Sequence, residues 1–311
     1  MTIGRTILET FYRANGQFVE LAQLPTATIH AEIAALHQLG YQFESHPHLG
    51  YRLLAVPDRL TADDIQARLV TPRIGREVLV FEETGSTNDV VSDLARHGAR
   101  EGLVVFAESQ TKGRGRQGRV WVSARGKGLW FSVLLRPTWA LAAMPRLTIA
   151  ASVAFARVIR QLTGLDARIK WPNDVTIQGR KVAGILTELQ GDAAILGVGL
   201  DVNCQSADLP PGVPATSLAL ETGQPQDRLA IAAALLGALD ELYATATTDF
   251  DAVVAQWAAW STTLGKQLVV QRGQQHLEGH AAALDGDGAL LLRKDNGQTE
   301  RLTGAEVMVE K

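Results

Sequence analysis

One cysteine among 311 residues excludes an internal disulfide, and Cys204 has no Cys or His partner at zinc-ligand spacing, so it reads as a core thiol in a reducing compartment. Long apolar runs are lacking too. The most hydrophobic region, residues 139–159, is broken by Arg146 and Arg157. That leaves it short of the roughly 18 uninterrupted apolar residues of a membrane span. No cleavable leader opens the chain, and the expectation is a soluble, cytoplasmic protein with no membrane partner. Acidic residues are missing from one long stretch: between Ser109 and Leu165 there are ten Lys or Arg and not one Asp or Glu. The whole chain carries a net charge of only -3, which argues against bulk polyanion binding and leaves this local excess as the signal. A hydrophobic fraction of 46% supports real cores, and the length predicts two or three domains.

Periodicity and punctuation divide the chain into three parts. Residues 1–58 show helical periodicity at 6–14 and 28–39, with a short apolar segment at 18–24 between them. Strand-like runs at 41–45 and 51–54 are joined by His46-Pro-His-Leu-Gly50. Three helices followed by a β-wing predict a winged helix-turn-helix. After Asp58, Thr61 caps a new helix with Asp63 and Asp64 in its first turn. Residues 59–264 alternate strands (78–81, 102–107, 129–135, 167–170, 175–178, 182–188, 194–202) with helices (86–97, 145–162, 226–245). Hairpin spacing across Gln178-Gly179-Arg180 makes part of the sheet antiparallel, hence a mixed sheet. Residues 265–311 hold short strands broken by Asp285-Gly-Asp-Gly288 and Asn296-Gly297, which predict a small β-barrel. The fold class is α+β (mixed α/β).

The acid-free stretch centres on Thr111-Lys-Gly-Arg-Gly-Arg-Gln-Gly-Arg119. Its glycines let backbone N–H groups turn toward a ligand, and its arginines offer bidentate donors to phosphate or carboxylate. Gly113-Arg-Gly-Arg-Gln-Gly118 formally satisfies G-x-G-x-x-G, but no helix starts within it and no acid follows until Asp166. The dinucleotide fold wants that acid about 20 positions on. The phosphate loop fails as well, because Arg119-Val120 stands where Lys-[Ser/Thr] is required. Two readings remain, a basic loop that wraps an acidic ligand and a solvated surface loop. In Lys170-Trp-Pro-Asn-Asp174, the indole and lysine suit a planar base and a phosphate, while a capped turn with Trp171 in the core fits equally. Lys181 shares a strand face with Ala183 and Ile185, so its amine lies along an apolar wall or snorkels to the surface. Glu83-Thr-Gly-Ser-Thr-Asn-Asp89 precedes a helix, where Ser86 or Thr87 caps it or the small polar groups hold a carbonyl or ureido edge.

Together, Ser86-Thr-Asn88, Gln110, Gly113-Arg-Gly-Arg-Gln-Gly-Arg119 with Trp121, Lys170-Trp-Pro-Asn-Asp174, Gly179-Arg-Lys-Val-Ala-Gly-Ile-Leu186 and Gly197-Val-Gly-Leu-Asp-Val-Asn203 resemble the biotin protein ligase family in order and approximate spacing. The match is specific over residues 81–203, and the flanks resemble the bifunctional members, with an N-terminal winged helix (1–58), a biotin- and ATP-binding catalytic domain (59–264) and an SH3-like barrel (265–311). The resemblance implies that ATP and biotin give biotinyl-5′-adenylate, and that biotin then passes to one lysine of a biotin carboxyl carrier domain. It implies catalytic roles for Arg116, Lys170, Asp174 and Lys181. It places biotin and the adenylate on Ser86, Thr87, Asn88, Gln110, Gly113, Arg114, Gly115, Arg116, Arg119, Trp121, Lys181 and Gly184, and the nucleotide on Arg119, Trp121, Asn173 and Asn203. Mg2+ is expected to ride on the ATP phosphates, with no metal site of the protein's own. Homodimerisation is a family-level expectation.

The same resemblance raises DNA binding, and the residues argue against it. The helix at 28–39 has no Lys or Arg, residues 1–54 set Arg5, Arg13 and Arg52 against Glu9, Glu20, Glu32 and Glu44, and the turn at 24–27 is tighter than the family's usual one. His30, His37, His46 and His48 read as turn and surface histidines. Two other functions compete: a lipoate or octanoate ligase or transferase of similar catalytic fold, and a biotin-responsive repressor. The arginine-rich loop and Lys170-Trp-Pro-Asn-Asp174 favour biotin and catalysis.

Overall fold

A computed structural model describes residues 3–24, 29–272, 274–303 and 306–310. The N-terminal unit comprises α1 (Ile3–Ala14), a single 3-10 turn (Leu21–Gln23), α2 (Ile29–Gln38) and a hairpin of β1 (Gln42–His46) and β2 (Gly50–Ala55) around Ile7, Leu8, Phe11, Ile33, Leu36 and Tyr41. The helix expected over 18–24 is absent. Val19 exchanges both backbone hydrogen bonds with Tyr51 of β2, at 2.7 and 3.0 Å, so its peptide groups extend the hairpin instead of winding, and only 21–23 forms a turn. The tight turn expected at 24–27 and the helix start at Thr28 lie outside the described residues beyond Leu24.

Thr61 caps α3 (Ala62–Arg68) as expected, its hydroxyl accepting from the Asp64 N–H at 3.1 Å. Asp64 is fully buried, and its carboxylate accepts from Tyr12, Tyr41 and Thr61. Those hydrogen bonds satisfy a charge that would otherwise be costly to bury, and they tie α3 to the N-terminal unit.

The central sheet uses β3 (Glu77–Phe81), β4 (Leu103–Ala107), β5 (Gly128–Leu135), β6 (Ala167–Lys170), β7 (Asp174–Ile177), β8 (Arg180–Gln190) and β9 (Ala193–Asp201). Their spatial order is β3-β4-β5-β9-β8-β7-β6, with β3 and β4 parallel and every other pair antiparallel, so the sheet is mixed. The helices are α4 (Thr87–Arg96), α5 (Pro145–Thr163), α6 (Leu218–Thr222), α7 (Arg228–Thr248) and α8 (Phe250–Trp260). The expected strands recur with end shifts. Helix α8 was not expected; Asp249 caps it at 3.1 Å and its Val253 and Trp257 enter the core.

Alternation along the strands decides which face each helix covers. Val104, Phe106, Phe131 and Val133 join the core with α5, α7 and α8, whereas Leu103, Val105, Leu134 and Ile195 meet Val91 and Ala95 of α4. By length and composition α5 with its preceding turn and α7 could each cross a membrane, yet 67% and 61% of their apolar windows are buried inside this fold, the pattern of core helices.

Beyond α8, β10 (Gln267–Arg272), β11 (Gln275–Leu284), β12 (Leu290–Arg293), β13 (Thr299–Leu302) and β14 (Glu306–Glu310) form an antiparallel sheet of order β13-β12-β11-β10-β14. The predicted breaks at Asp285 to Gly288 and Asn296-Gly297 are the β11–β12 and β12–β13 turns.

Candidate active site

The site grows from the α4 face of the sheet. In antiparallel strands, residues directly opposite one another share a face. One rung on this face is Ser132–Gly197–Leu186, the next is Trp130–Gly199–Gly184–Asp174, and the third contains Gly128 and Asp201. The glycines leave the floor bare, and neighbouring side chains lie where their β-carbons would be. A Cβ on Gly197 would stand 2.2 Å from Asn88 Oδ1, and one on Gly199 would stand 2.3 Å from the Trp121 indole. A side chain at either position would displace the groups that line the site.

Over this floor lies a cavity of about 400 Å3, within the range of small-molecule sites. Its polar end is wired internally. Gln110 Oε1 accepts from the Thr87 N–H (2.9 Å) and hydroxyl (3.2 Å), while its amide nitrogen donates to Ser123 at 3.0 Å. Ser132 Oγ lies 2.7 Å from Thr87 Oγ1 and 2.6 Å from Asn88 Oδ1, and Asn88 Nδ2 donates to Glu188 at 2.6 Å. Ser86 occupies the N-cap position of α4, but its hydroxyl makes no capping bond and lines the cavity.

The basic loop forms the roof. Trp121 N–H donates to the Gly113 carbonyl at 3.0 Å and Gly115 N–H to Arg119 at 2.7 Å, so the loop is a small folded hairpin rather than an open strand. Gly113 does not itself line the cavity. A Cβ there would meet the Trp121 carbonyl at 2.5 Å, so its role is to let the loop close at its base. The feet of the longer segment are fixed by a buried cluster: Arg228 donates to Glu108 at 2.6 Å, to the Gly128 carbonyl at 3.3 Å and to Asp58 at 2.7 Å. Glu108 also accepts from Leu60 N–H at 2.8 Å, and its own carbonyl receives Gly126 N–H at 3.1 Å.

Two arginines of the loop stand in different surroundings. Arg114 reaches Glu188 at 2.8 and 3.0 Å and Asp89 at 2.8 Å, and these acids raise its pKa. Its charge is compensated before any ligand arrives. Arg116 faces the neutral Asn173 at 3.4 Å; burial lowers its pKa, with Arg119 acting in the same direction and Asp174 opposing. A half-buried guanidinium on a cavity wall suits an anion.

Lys181 corrects a sequence expectation. Thr176 pairs with Lys181 but Val175 pairs with Ala183, so Val182 is an extra residue in β8. This bulge breaks the alternation and turns Lys181 away from the apolar face of Ala183 and Ile185 toward the cavity. Its Nζ pairs with Asp174 at 2.6 Å and stands 5.1 Å from the Trp121 ring centroid.

The family profile for biotin/lipoate A/B protein ligases matches residues 80–203, and that for the biotin protein ligase C-terminal domain matches 263–309. The bifunctional ligase/repressor BirA of Bacillus spizizenii is 33% identical over 310 residues, covering 95% of each chain. This chain belongs to the biotin protein ligase family. The biotin–[acetyl-CoA-carboxylase] ligase of Mycobacterium tuberculosis is 35% identical over 224 residues, covering 70% of this chain and 83% of its own. Among solved structures, biotin protein ligase from Aquifex aeolicus in complex with biotin and ATP aligns with a TM-score of 0.67 at 27% identity, over 75% of this chain and 97% of that one.

Of the residues that the family resemblance singles out, the cavity gathers Ser86, Thr87, Asn88, Gln110, Arg114, Gly115, Arg116, Arg119, Trp121, Asn173, Asp174, Lys181 and Gly184. Besides Gly113, two others lie outside its wall. Lys170 ends the edge strand β6 opposite Asp174. Asn203 has its amide engaged by the Gln226 backbone at 2.8 and 3.0 Å, which fixes the approach to α7. Trp171 is in the core, its N–H donating to Thr263 at 3.0 Å, and Cys204 is the buried thiol expected. The sequence reading missed Glu188, Ser132 and Asp201. Only the last lay in a motif already under attention, and the former two are joined to the site by contacts between distant strands and helices.

Proposed function

We propose that this protein is an ATP-dependent biotin ligase that makes biotinyl-5′-adenylate and transfers the biotinyl group to one lysine of a biotin carboxyl carrier domain. The observation that carries this reading is the cavity's two-ended chemistry: a hydrogen-bonding end at Ser86, Thr87, Asn88 and Gln110, and a cationic end at Arg116 and Lys181 on the same glycine floor. The first end presents fixed donors and acceptors to a ureido ring. At the second, the biotin carboxylate must approach the α-phosphate of ATP, and two anions repel. Lys181 and Arg116 offset the charge that grows as the carboxylate oxygen bonds to phosphorus and the bond to pyrophosphate breaks. Trp121, Arg119 and Asn173 serve the nucleotide half. Asp174 orients the Lys181 ammonium through their 2.6 Å pair. In the second step a neutral lysine amine of the carrier attacks the acyl carbon, the carbon–oxygen bond to AMP breaks, and one proton is released. The folded loop keeps water from the mixed anhydride until then.

Among the described residues no three His, Cys, Asp or Glu come together as a metal cage, and Asp174 is engaged with Lys181, so Mg2+ is read as travelling on the ATP phosphates. The five-stranded C-terminal sheet is read as an SH3-like barrel and residues 1–58 as a winged helix retained as a structural module. The absence of Lys and Arg from α2 supports that role over operator binding. A gel-shift titration at low salt tests it: sequence-dependent retardation of DNA would overturn it. The ligase reading is tested by incubating the protein with ATP, biotin and a carrier domain. It predicts label on a single carrier lysine, lost when that lysine is replaced by arginine; an unlabelled carrier would contradict it.

A further inference from the structure

Asp201 ends β9 on the same face as Gly197 and Gly199 and so belongs to the cavity floor. It is 5% exposed. A carboxylate at the cationic end of an anion-binding cavity is chemically out of place unless a cation balances it, and none among the described residues is in hydrogen-bonding contact. Lys181 on β8 is near enough to favour its charge but is paired with Asp174 of β7. The segment after β9 offers the Cys204 thiol, which donates to Asp201 Oδ1 at 3.4 Å. From before β5, Lys127 presents its backbone carbonyl to Cys204 and its charge acts on that thiol, as does Asp208 from the 3-10 turn Ser206–Asp208. Opposite Asp201, β5 contributes Gly128, which has no side chain to compensate it.

We propose that Asp201 is a ligand-contacting residue that works as a neutral carboxylic acid, donating its proton in a hydrogen bond to an oxygen of the adenylate, and that its ionised form rejects the same ligand. Burial is the physical reason the neutral form is accessible: it pushes the Asp201 carboxyl up to about 7, with the Cys204 hydrogen bond and Lys181 pulling the other way. A carboxylic acid kept protonated in a poorly solvated site is a good donor to an anionic oxygen, whereas the carboxylate adds a negative charge facing the phosphate. The sign follows. Because the ligand binds the protonated form, affinity is full below the free carboxyl's pKa and falls as pH rises through it.

This inference rests on the ligase reading. The probe is biotinol-5′-adenylate, a stable phosphodiester whose single charge does not titrate near neutrality, measured by calorimetry from about pH 6 to about pH 8.5. Among the described residues no histidine lines the cavity to supply a competing titration. Wild type is expected to weaken by up to about tenfold per pH unit above neutrality and to take up one proton on binding at the alkaline end. Asp201→Asn, which keeps a donor but cannot ionise, is expected to bind with little pH dependence and no proton uptake. Wild-type affinity that is flat, or that rises with pH, overturns the proposal. If the variant fails to fold, proton uptake by the wild type decides alone. No binding at any pH removes the ligase reading itself, and this proposal with it.

Discussion

The N-terminal unit and the central cavity are built from similar residues and use them in opposite ways. In the first, Arg5 meets Glu9 and Arg52 meets Glu44, and where α3 packs against it the buried Asp64 is satisfied by Tyr12, Tyr41 and Thr61. Each of these charges has its complement inside the chain. In the cavity, Arg116 is half-buried beside a neutral amide and near the like charge of Arg119, and Asp201 is buried with no ion pair among the described residues. Folding gains nothing from such groups. The difference separates charges that hold the fold from charges placed for a ligand, and Arg114, compensated by Glu188 and Asp89, shows both kinds within one loop.

Substitutions can break this contrast. The largest effect is expected at Lys181: Lys181→Met removes the cation held by Asp174 and should slow adenylate formation by about 100- to 1000-fold in a single-turnover assay. Next is Arg116→Gly, which should release biotinyl-adenylate about 10- to 100-fold faster, the value of one or two charge-assisted hydrogen bonds, while weakening ATP binding less. A dissociation assay showing unchanged retention would end that assignment. Glu188→Gln should act more weakly, because the Arg114 pair is about a third exposed and solvent screens it: a few-fold loss of biotin affinity by calorimetry. The smallest effect on catalysis is expected at Asp64→Asn, which should lower the melting temperature through a loss of about 1–3 kcal/mol yet leave the adenylation rate unchanged. A comparable loss of rate would join the two regions that the comparison separates.

Much of the fold was legible because its signals are local. The central strands are apolar runs closed by glycine or polar turns, and Gln178 and Gly179 both take positive φ, 50° and 77°, as a two-residue hairpin turn requires. The failures have the opposite character. The bulge that redirects Lys181 depends on pairing with β7, and the Val19–Tyr51 bridge that replaces a helix is formed by a distant strand. Glu188 lies 74 positions from Arg114, beyond any window in which spacing carries information. Gly197 to Asn203 was the instructive case, where the motif was visible but β9 ends at Asp201, on the cavity, and beyond it the Asn203 amide is engaged by the Gln226 backbone.

The central claim, that the cavity joins biotin to AMP, is tested most directly by exchange of labelled pyrophosphate into ATP in the presence of biotin, lipoate or octanoate. The account predicts exchange with biotin and none with the other two. Exchange driven by lipoate or octanoate would assign the cavity to a different acid, and exchange with none of the three would contradict the adenylation chemistry.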